Sequence, residues 1–497
     1  MPSRSLRLAL ACVVFSACSK PDPLYCDENT PCTDEARPFC DLAGEYPASD
    51  GIKRTCIPDP FPDADAGPDT FCVANEFVEC SDLDTAVYCN DAGSEHISLD
   101  CGGPCDAAQD GCQCEANLST CADNLTIHCG ASGRPAEIES CALGCADTGD
   151  RCVDVDPSND LAAYLDMTDD APVVVLTDGA VIDTDAGTIE DGNGTEIDVP
   201  DFQVPAPTNG VAIRVFAVKS LTIGDATVLG ERALAIVSDG DVFIRGHVRL
   251  VAGAMPDSGC ALGDADECTA GPSAPIICAG GAGGGFGSRG GDGGDATGTT
   301  DDITAEGGTG GAQAGSETLE PLRGGCTGGE SQTTGDFGGP GGSIQVVSRT
   351  LIQVQDAGAT SFLDANGTGS AGIGGGGSGG GVLLEAPRVV VESGTGMVAN
   401  GGGGGCSDDA GDPGRLSTAV APGGTCPDAA LGDGGNGGAR ATPNPEDGQS
   451  VARTTGGLGG GGGGGVGRIR VNVPTISDFS EFGAVSPAAS IGTLKVR

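Results

Sequence analysis

From about Ala171 onward, short runs of Val, Ile and Leu recur in groups of three, and the groups can be laid over one another. One group reads Val215-Phe216-Ala217-Val218, Leu221-Thr222-Ile223, then Thr227-Val228-Leu229. The next reads Ala235-Ile236-Val237, Val242-Phe243-Ile244, then Val248-Arg249-Leu250. A third reads Ile344-Gln345-Val346-Val347, Leu351-Ile352-Gln353-Val354, then Phe362-Leu363-Asp364. A fourth reads Val382-Leu383-Leu384, Val389-Val390-Val391, then Met397-Val398. Ile469-Arg470-Val471 begins a weaker fifth, and Val173–Leu176 with Ala180–Ile182 an earlier one. Strands this short cannot bury a face alone, whereas stacked copies align like residues into apolar columns. Each buried aliphatic side chain then contributes about 1.5–3 kcal/mol. The pattern predicts an all-β chain whose residues 171–497 form a right-handed parallel β-helix-like body. The competing all-β arrangement is a sandwich or jelly roll with long loops.

Glycine tracts leave the copies after the third strand, over residues 279–342, 367–381, 401–438 and 456–467. Two states suit such tracts: disordered loops, or packed polyglycine-II-type helices of three residues per turn. Ordering each Gly costs about 0.5–1 kcal/mol more than Ala. Cys260, Cys268, Cys278, Cys326, Cys406 and Cys426 lie in or beside the tracts, and cross-links there favour order.

Of the 24 Cys, all but Cys12 and Cys18 fall into groups of even size. Cys89, Cys101, Cys105 and Cys112 have the spacing C-x11-C-x3-C-x6-C, which Cys129, Cys141, Cys145 and Cys152 repeat. Cys72 and Cys80 precede the first quartet, and Cys114 and Cys121 the second, giving six-Cys modules at 72–113 and 114–157. Modules of about 40 residues lack enough buried apolar surface and usually need cross-links. Each bridge over ten to fifteen residues contributes roughly 3 kcal/mol. Six Cys allow 15 pairings, and the spacing selects none. Zinc is the competing use, although its sites favour C-x2-C knuckles in reducing compartments. Upstream, residues 18–71 form a tether with a four-Cys knot (Cys26, Cys32, Cys40, Cys56) and an acidic, Pro-rich spacer. Ser158-Asn159-Asp160 before Leu161–Leu165 predicts a capped helical connector over 158–170.

The first residues carry an address. Arg4 and Arg7 precede an apolar run from Leu8 to Phe15, the layout of a secretory signal over residues 1–17 and too short to span a bilayer. Phe15-Ser16-Ala17-Cys18 resembles the lipobox of bacterial lipoproteins, which implies lipidation of Cys18 and attachment to a membrane. Ser19, rather than Asp, is similar to the residue that follows the lipidated Cys in lipoproteins sent to the outer membrane. Farther on, Gly283-Gly284-Gly285-Phe286-Gly287, Pro321-Leu322-Arg323-Gly324-Gly325-Cys326, Gly341–Ser348 and Gly379–Pro387 resemble glycine-rich, PGRS-like bacterial surface lipoproteins. That resemblance implies cell-surface exposure and no reaction. The glycine-rich body also loosely resembles the polyglycine ligand-binding region of some animal receptor kinases.

Formal net charge is −47, so nucleic acid and anionic lipid surfaces are repelled. No G-x-x-x-x-G-K-[ST] exists, and matches to G-x-G-x-x-G arise by chance among 89 Gly, so no nucleotide or cofactor is implied. Asp356, Asp364, Glu385 and Arg388 are the candidates for carbohydrate chemistry on an exposed strand face, and solvated positions at rung ends and turns are the favoured reading of them. No carboxylate pair recurs at a spacing that unites two on one face. His96, His128 and His247 do not converge in sequence. Calcium is the one ion with any signal. Gly290-Gly291-Asp292-Gly293-Gly294-Asp295 matches one unit of a calcium repeat that works only in stacks, and Asp183-Thr184-Asp185 with Asp191-Gly192-Asn193 gathers oxygen ligands without an EF-hand pattern. The sequence therefore points to a lipid-anchored, non-enzymatic surface protein with a structural, adhesive or ligand-binding role toward an extracellular protein or glycan. The alternative is a β-helix polysaccharide lyase or hydrolase.

Overall fold

The computed structural model describes residues 135–497, apart from 169, 208–209, 252, 254–268, 271–275, 299–303, 332–336, 357, 359 and 454–456. Of the earlier chain it describes chiefly 39–41, 55–57, 77–81, 85–89, 96–100, 118–122 and 124–131. Cys18, Cys26, Cys32, Cys72, Cys101, Cys112, Cys114, Cys260 and Cys268 lie outside the described residues, as do the signal segment and the acidic spacer. Among the described residues nearly every regular element is a β-strand, the large sheets are mostly parallel, and the chain divides into two compact units, Met1–Ser140 and Cys141–Arg497.

In the first unit the cysteine repeat becomes a structural repeat. Phe77–Cys80, Thr85–Cys89 and His96–Asp100 form one three-stranded antiparallel sheet, and Ser119–Ala122, Leu125–Cys129 and Pro135–Ser140 form another. Cys89 and Cys129 each end a middle strand. The Cys80–Cys105 bridge, and Tyr88 packed edge-on against Phe77 at 5.6 Å, supply what a small apolar core cannot. Described Cys89, Cys121, Cys129, Cys141, Cys145 and Cys152 are all disulfide-bonded, so none offers the thiolate that a zinc site requires.

The second unit is built on three sheets, each assembled from one strand position of every copy. Ile213–Val218, Ala233–Ser238, Ser343–Ser348, Gly381–Glu385 and Arg468–Val473 pair in parallel, in that order, in a seven-stranded sheet. The second strands, from Val173–Leu176 to Phe479–Glu481, form a six-stranded parallel sheet. The third strands run from Ala180–Asp183 to Ala484–Ser486, with two antiparallel strands added at the early edge. Parallel register places like on like: Val174, Leu221, Val242, Ile352 and Val389 make one column, and Ala226, Val248, Leu363, Met397 and Val485 another. All ten are buried in a single cluster.

The first-strand sheet is buried on both faces, which explains its unbroken apolar runs. Its inner side chains join the main core, while Val215, Ala235, Val237, Val347 and Leu383 pack outward against Val155, Leu161, Leu165, Leu319 and Leu322. The connector thus contributes a helix, Ala162–Leu165, that covers this face. Its cap departs from expectation. Leu161 occupies the N-cap with no side-chain bond, Asn159 and Asp160 take positive φ, and the Ser158 hydroxyl turns to Glu385 and Glu320 instead. The desolvated Glu385 carboxylate takes that donor instead. An antiparallel bridge between Val155 and Val496 joins this segment to the last residues of the unit.

The described glycine tracts are packed and hydrogen-bonded. Along Gly459–Gly467 the partner changes with a period of three. Gly459, Gly462 and Gly465 donate to the carbonyls of Cys278, Gly281 and Gly284; Gly460 and Gly463 to Gln449 and Glu446; Gly461, Gly464 and Gly467 to Gly405, Gly402 and Ala399. The carbonyls of the same residues accept from three further segments, at Gly291 and Gly294, Gly376 and Gly379, and Gly435 and Gly438. One glycine strand is therefore surrounded by six. A Cβ on Gly461 would lie 1.7 Å from the Gly374 carbonyl oxygen, and one on Gly464 would lie 2.0 Å from that of Gly377. No side chain fits between strands this close.

Candidate functional site

Where the glycine segments reach the rim of this bundle, their outward N–H groups lack a neighbouring carbonyl, and side-chain oxygens take its place. Asp292 Oδ1 accepts from Gly310 at 2.6 Å, Asp295 Oδ1 from Gly307 at 2.8 Å, and Asp447 Oδ1 from Asp292 at 2.7 Å. Asp433 receives Cys426 N–H at 2.8 Å, and the neutral Asn436 receives Gly423 N–H at 2.9 Å. The acids of the single calcium-like motif are thus acceptors for backbone. The other acidic loop divides in the same way. Asp183 Oδ1 accepts from Asp185 and Ala186 at 2.8 and 2.9 Å, and Asp191 Oδ1 from Asn193 and Thr195 at 2.9 and 2.8 Å. Backbone bonds from Thr195 and Asn193 hold the Asp191 carboxyl below its ordinary range. Asp183 sits at the turn of the hairpin that pairs it with Thr188, whereas Asp191 follows the opposite end, so the two do not converge.

The four carbohydrate candidates are dispersed. Asp356 closes a local turn by accepting from Gly358 N–H at 2.8 Å, and Arg388 is exposed at the start of a second-position strand. Asp364 lies in the third-strand sheet, and Glu385 on the outer face of the first. Glu385 is fully buried and accepts four hydrogen bonds. Ser158 Oγ (2.9 Å) and Asn472 Nδ2 (2.9 Å) bond one oxygen, and Ser158 N–H (3.0 Å) and Gln345 Nε2 (2.6 Å) the other. Burial pushes this carboxyl up, while those donors favour its charge. Asn159 extends the network, donating to Gln345 Oε1 at 2.9 Å and accepting from Leu322 N–H at 3.1 Å. The arrangement fastens the connector to the sheet and leaves no lone pair aimed at a substrate.

Of the histidines, His96 is exposed on its strand and His128 Nδ1 lies 2.7 Å from Ser119 Oγ across two strands. His247 Nε2 lies 2.8 Å from Asp364 Oδ2. That bond raises the imidazole pKa, as does the charge of nearby Asp225, while burial and Arg249 oppose the rise. Asp364 Oδ1 meanwhile accepts Asn366 N–H at 3.0 Å. This pair went unread in the sequence because 117 residues separate its members.

A second cluster also escaped the sequence reading. Arg323 and Arg468 each place a guanidinium carbon 5.6 Å from the centroid of the Phe286 ring. Phe286 is fully buried and Arg323 only 4 % exposed. Desolvation lowers the pKa of both arginines, and the charge of Arg468 lowers that of Arg323 further. An apolar crevice lined by Leu221, Ile223, Leu234, Val242, Ile344 and Leu363 lies inside the core.

No protein-family model, curated protein or solved structure matches the chain.

Proposed function

We propose that this is a lipid-anchored surface protein whose body is a parallel β-helix bearing a polyglycine-II bundle, held rigid for structural or adhesive display. The observation that carries the reading is the six-neighbour hydrogen bonding of Gly459–Gly467, since ordering so much glycine is costly and serves shape rather than motion. Cross-linking supports it: Cys406–Cys426 closes a loop inside a glycine tract, and Cys80–Cys105 and Cys141–Cys152 brace the modules. Such bridges persist in oxidising compartments, consistent with the signal segment and the lipobox-like Cys18. Rim carboxylates that accept backbone N–H groups account for part of the acidity. Multivalent contact through small modules and flat sheet faces would supply affinity toward an extracellular protein or glycan.

Four measurements test the reading. Mass spectrometry of the native amino terminus is expected to find a diacyl or triacyl group on Cys18 and none of residues 1–17. Protease shaving of intact cells is expected to release peptides from 171–497, and Cys18→Ser to move the protein out of the membrane fraction. Purified body is expected to bind cell envelope saturably without glycan turnover. Internal retention or an intact Met1 would overturn the proposal, and glycan turnover lost in Asp364→Asn would favour the enzyme alternative.

A further inference from the structure

The stacked strands of the second unit end differently at their two edges. At the early edge the first and third sheets are turned back by antiparallel strands, Asp201–Val204 in one, Thr188–Glu190 and Glu196–Ile197 in the other. Ile189 and Val199 fold into the core there. Asp201 and Glu196 stand exposed on these strands, the placement of charge that keeps a sheet edge from pairing. Only Val173–Leu176, in the second sheet, is left as a plain parallel edge.

At the late edge no such cover follows among the described residues. Phe479–Glu481, Ala484–Ser486 and Ser490–Thr493 are each the last strand of their sheet. In two of the three sheets the last inward side chain, Phe479 or Ile491, is only partly buried, whereas Val389 and Val471, which precede them in the same columns, are fully buried. Nearby in the chain, Ile476 is 75 % exposed and Phe482 71 %, more than any other large apolar side chain among the described residues. Residues 475–494 hold two carboxylates and no Lys, Arg or His. Glu481 is paired with Arg440, and Asp478 accepts Thr475 N–H at 2.8 Å.

Size and charge both favour a second copy as the cover. The 20 residues of 475–494 match what one side of a standard interface supplies, about 20–30 residues. A foreign strand would cover one edge, whereas an identical rung covers all three at once. Chains of formal net charge −47 repel one another, and this nearly neutral rung is where they can approach. Head-to-tail stacking would extend only the second sheet and would meet acidic, reversed strands in the other two. The contact is therefore two-fold, with the edges antiparallel and the assembly closed at two copies.

We propose that the protein dimerises end to end through the rung formed by Phe479–Glu481, Ala484–Ser486 and Ser490–Thr493, with Ile476 and Phe482 buried in the contact. The test is sedimentation equilibrium of the full chain carrying Cys18→Ser, which keeps acyl groups and detergent out of the measurement. A monomer–dimer equilibrium is expected at micromolar concentration. Phe482→Asp is expected to weaken it at least about thirtyfold, because the substitution enters a two-fold contact twice. Amide hydrogen exchange over 479–493 is expected to be slow in the parent dimer and fast in this variant, with 201–204 unchanged. If Phe482→Asp does not fold, Ile476→Asp decides. A monomeric parent would overturn the proposal, and slow exchange over 479–493 in that monomer would give the edge to another part of the chain. A dimer indifferent to both substitutions, or species that keep growing with concentration, would overturn it as well.

Discussion

Burying the Glu385 carboxylate alone would cost several kcal/mol, yet four donors reach it from three separate parts of the chain. Glu385→Gln keeps the volume and turns an amide N–H₂ toward two of those donors. Urea denaturation is expected to find it roughly 1–3 kcal/mol less stable, the cost of unsatisfied buried donors. His247 gives a pH signature instead. Its folded pKa is raised by Asp364, so the pair stabilises the fold fully below the unfolded value of about 6.5, and this is lost as pH rises through the folded value. In Asp364→Asn the imidazole resonances are expected to titrate near the ordinary value, and the pH dependence of the urea midpoint above about pH 6 to flatten. An unchanged His247 titration would count against the bond. Neither residue's role was legible in the sequence. Laying Val248-Arg249-Leu250 over Phe362-Leu363-Asp364 sets Val248 against Phe362, one residue out of the register that pairs it with Leu363. A slip of one exchanges the two faces of a strand, and the His247–Asp364 pair vanishes with it.

At the scale of the element, strands were the legible part. The repetition of threes located the parallel strands of the stacked copies from Val173–Leu176 to Arg468–Val473, because in-register stacking needs apolar residues at the same place in each copy. The antiparallel strand Asp201–Val204 on the edge of the first-strand sheet was missed, since its alternating Asp and Gln suit a half-exposed edge. The glycine tracts were legible in extent but not in state, because a segment without side chains has no pattern to read. Geometry settles their state and grades their substitutions. Gly461→Ala drives a methyl into the Gly374 carbonyl and is expected to cost about 3 kcal/mol or more, whereas Gly339→Ala meets only Thr368 Oγ1 at 3.4 Å and is expected to be mild. Thermal melts of the two variants side by side check the difference. Equal melting temperatures would mean the tracts yield more than close packing allows.

For the second unit as a whole, the beginning and the end are held together. Arg349 bonds Asp154 and Asp239, Arg497 bonds Asp154 and Asp166, and Asp154 and Arg497 also exchange backbone hydrogen bonds. Burial opposes the Asp154 charge, but the two arginines outweigh it and hold its carboxyl below the usual range. A depressed folded pKa stabilises above the unfolded value of about 3.9 and is lost as pH falls through the folded one. Arg349→Ala is expected to cost about 2 kcal/mol near neutral pH, less below about pH 4, as read from urea midpoints. A variant that loses the same amount at both pH values would assign the effect to packing of the arginine stem.

The glycine bundle constrains how such a chain can change in length. Apart from Val466, whose N–H turns to Ser288 Oγ, successive residues of Gly459–Gly467 address different neighbours, and the address recurs after three residues. Inserting or deleting three glycines slides a tract along its bundle and keeps every N–H facing its own partner. Adding one turns everything beyond it by about a third of a turn, toward segments already occupied. Changes of three residues therefore suit such a tract, whereas a single-residue error falls on the fold as heavily as a frameshift falls on a message.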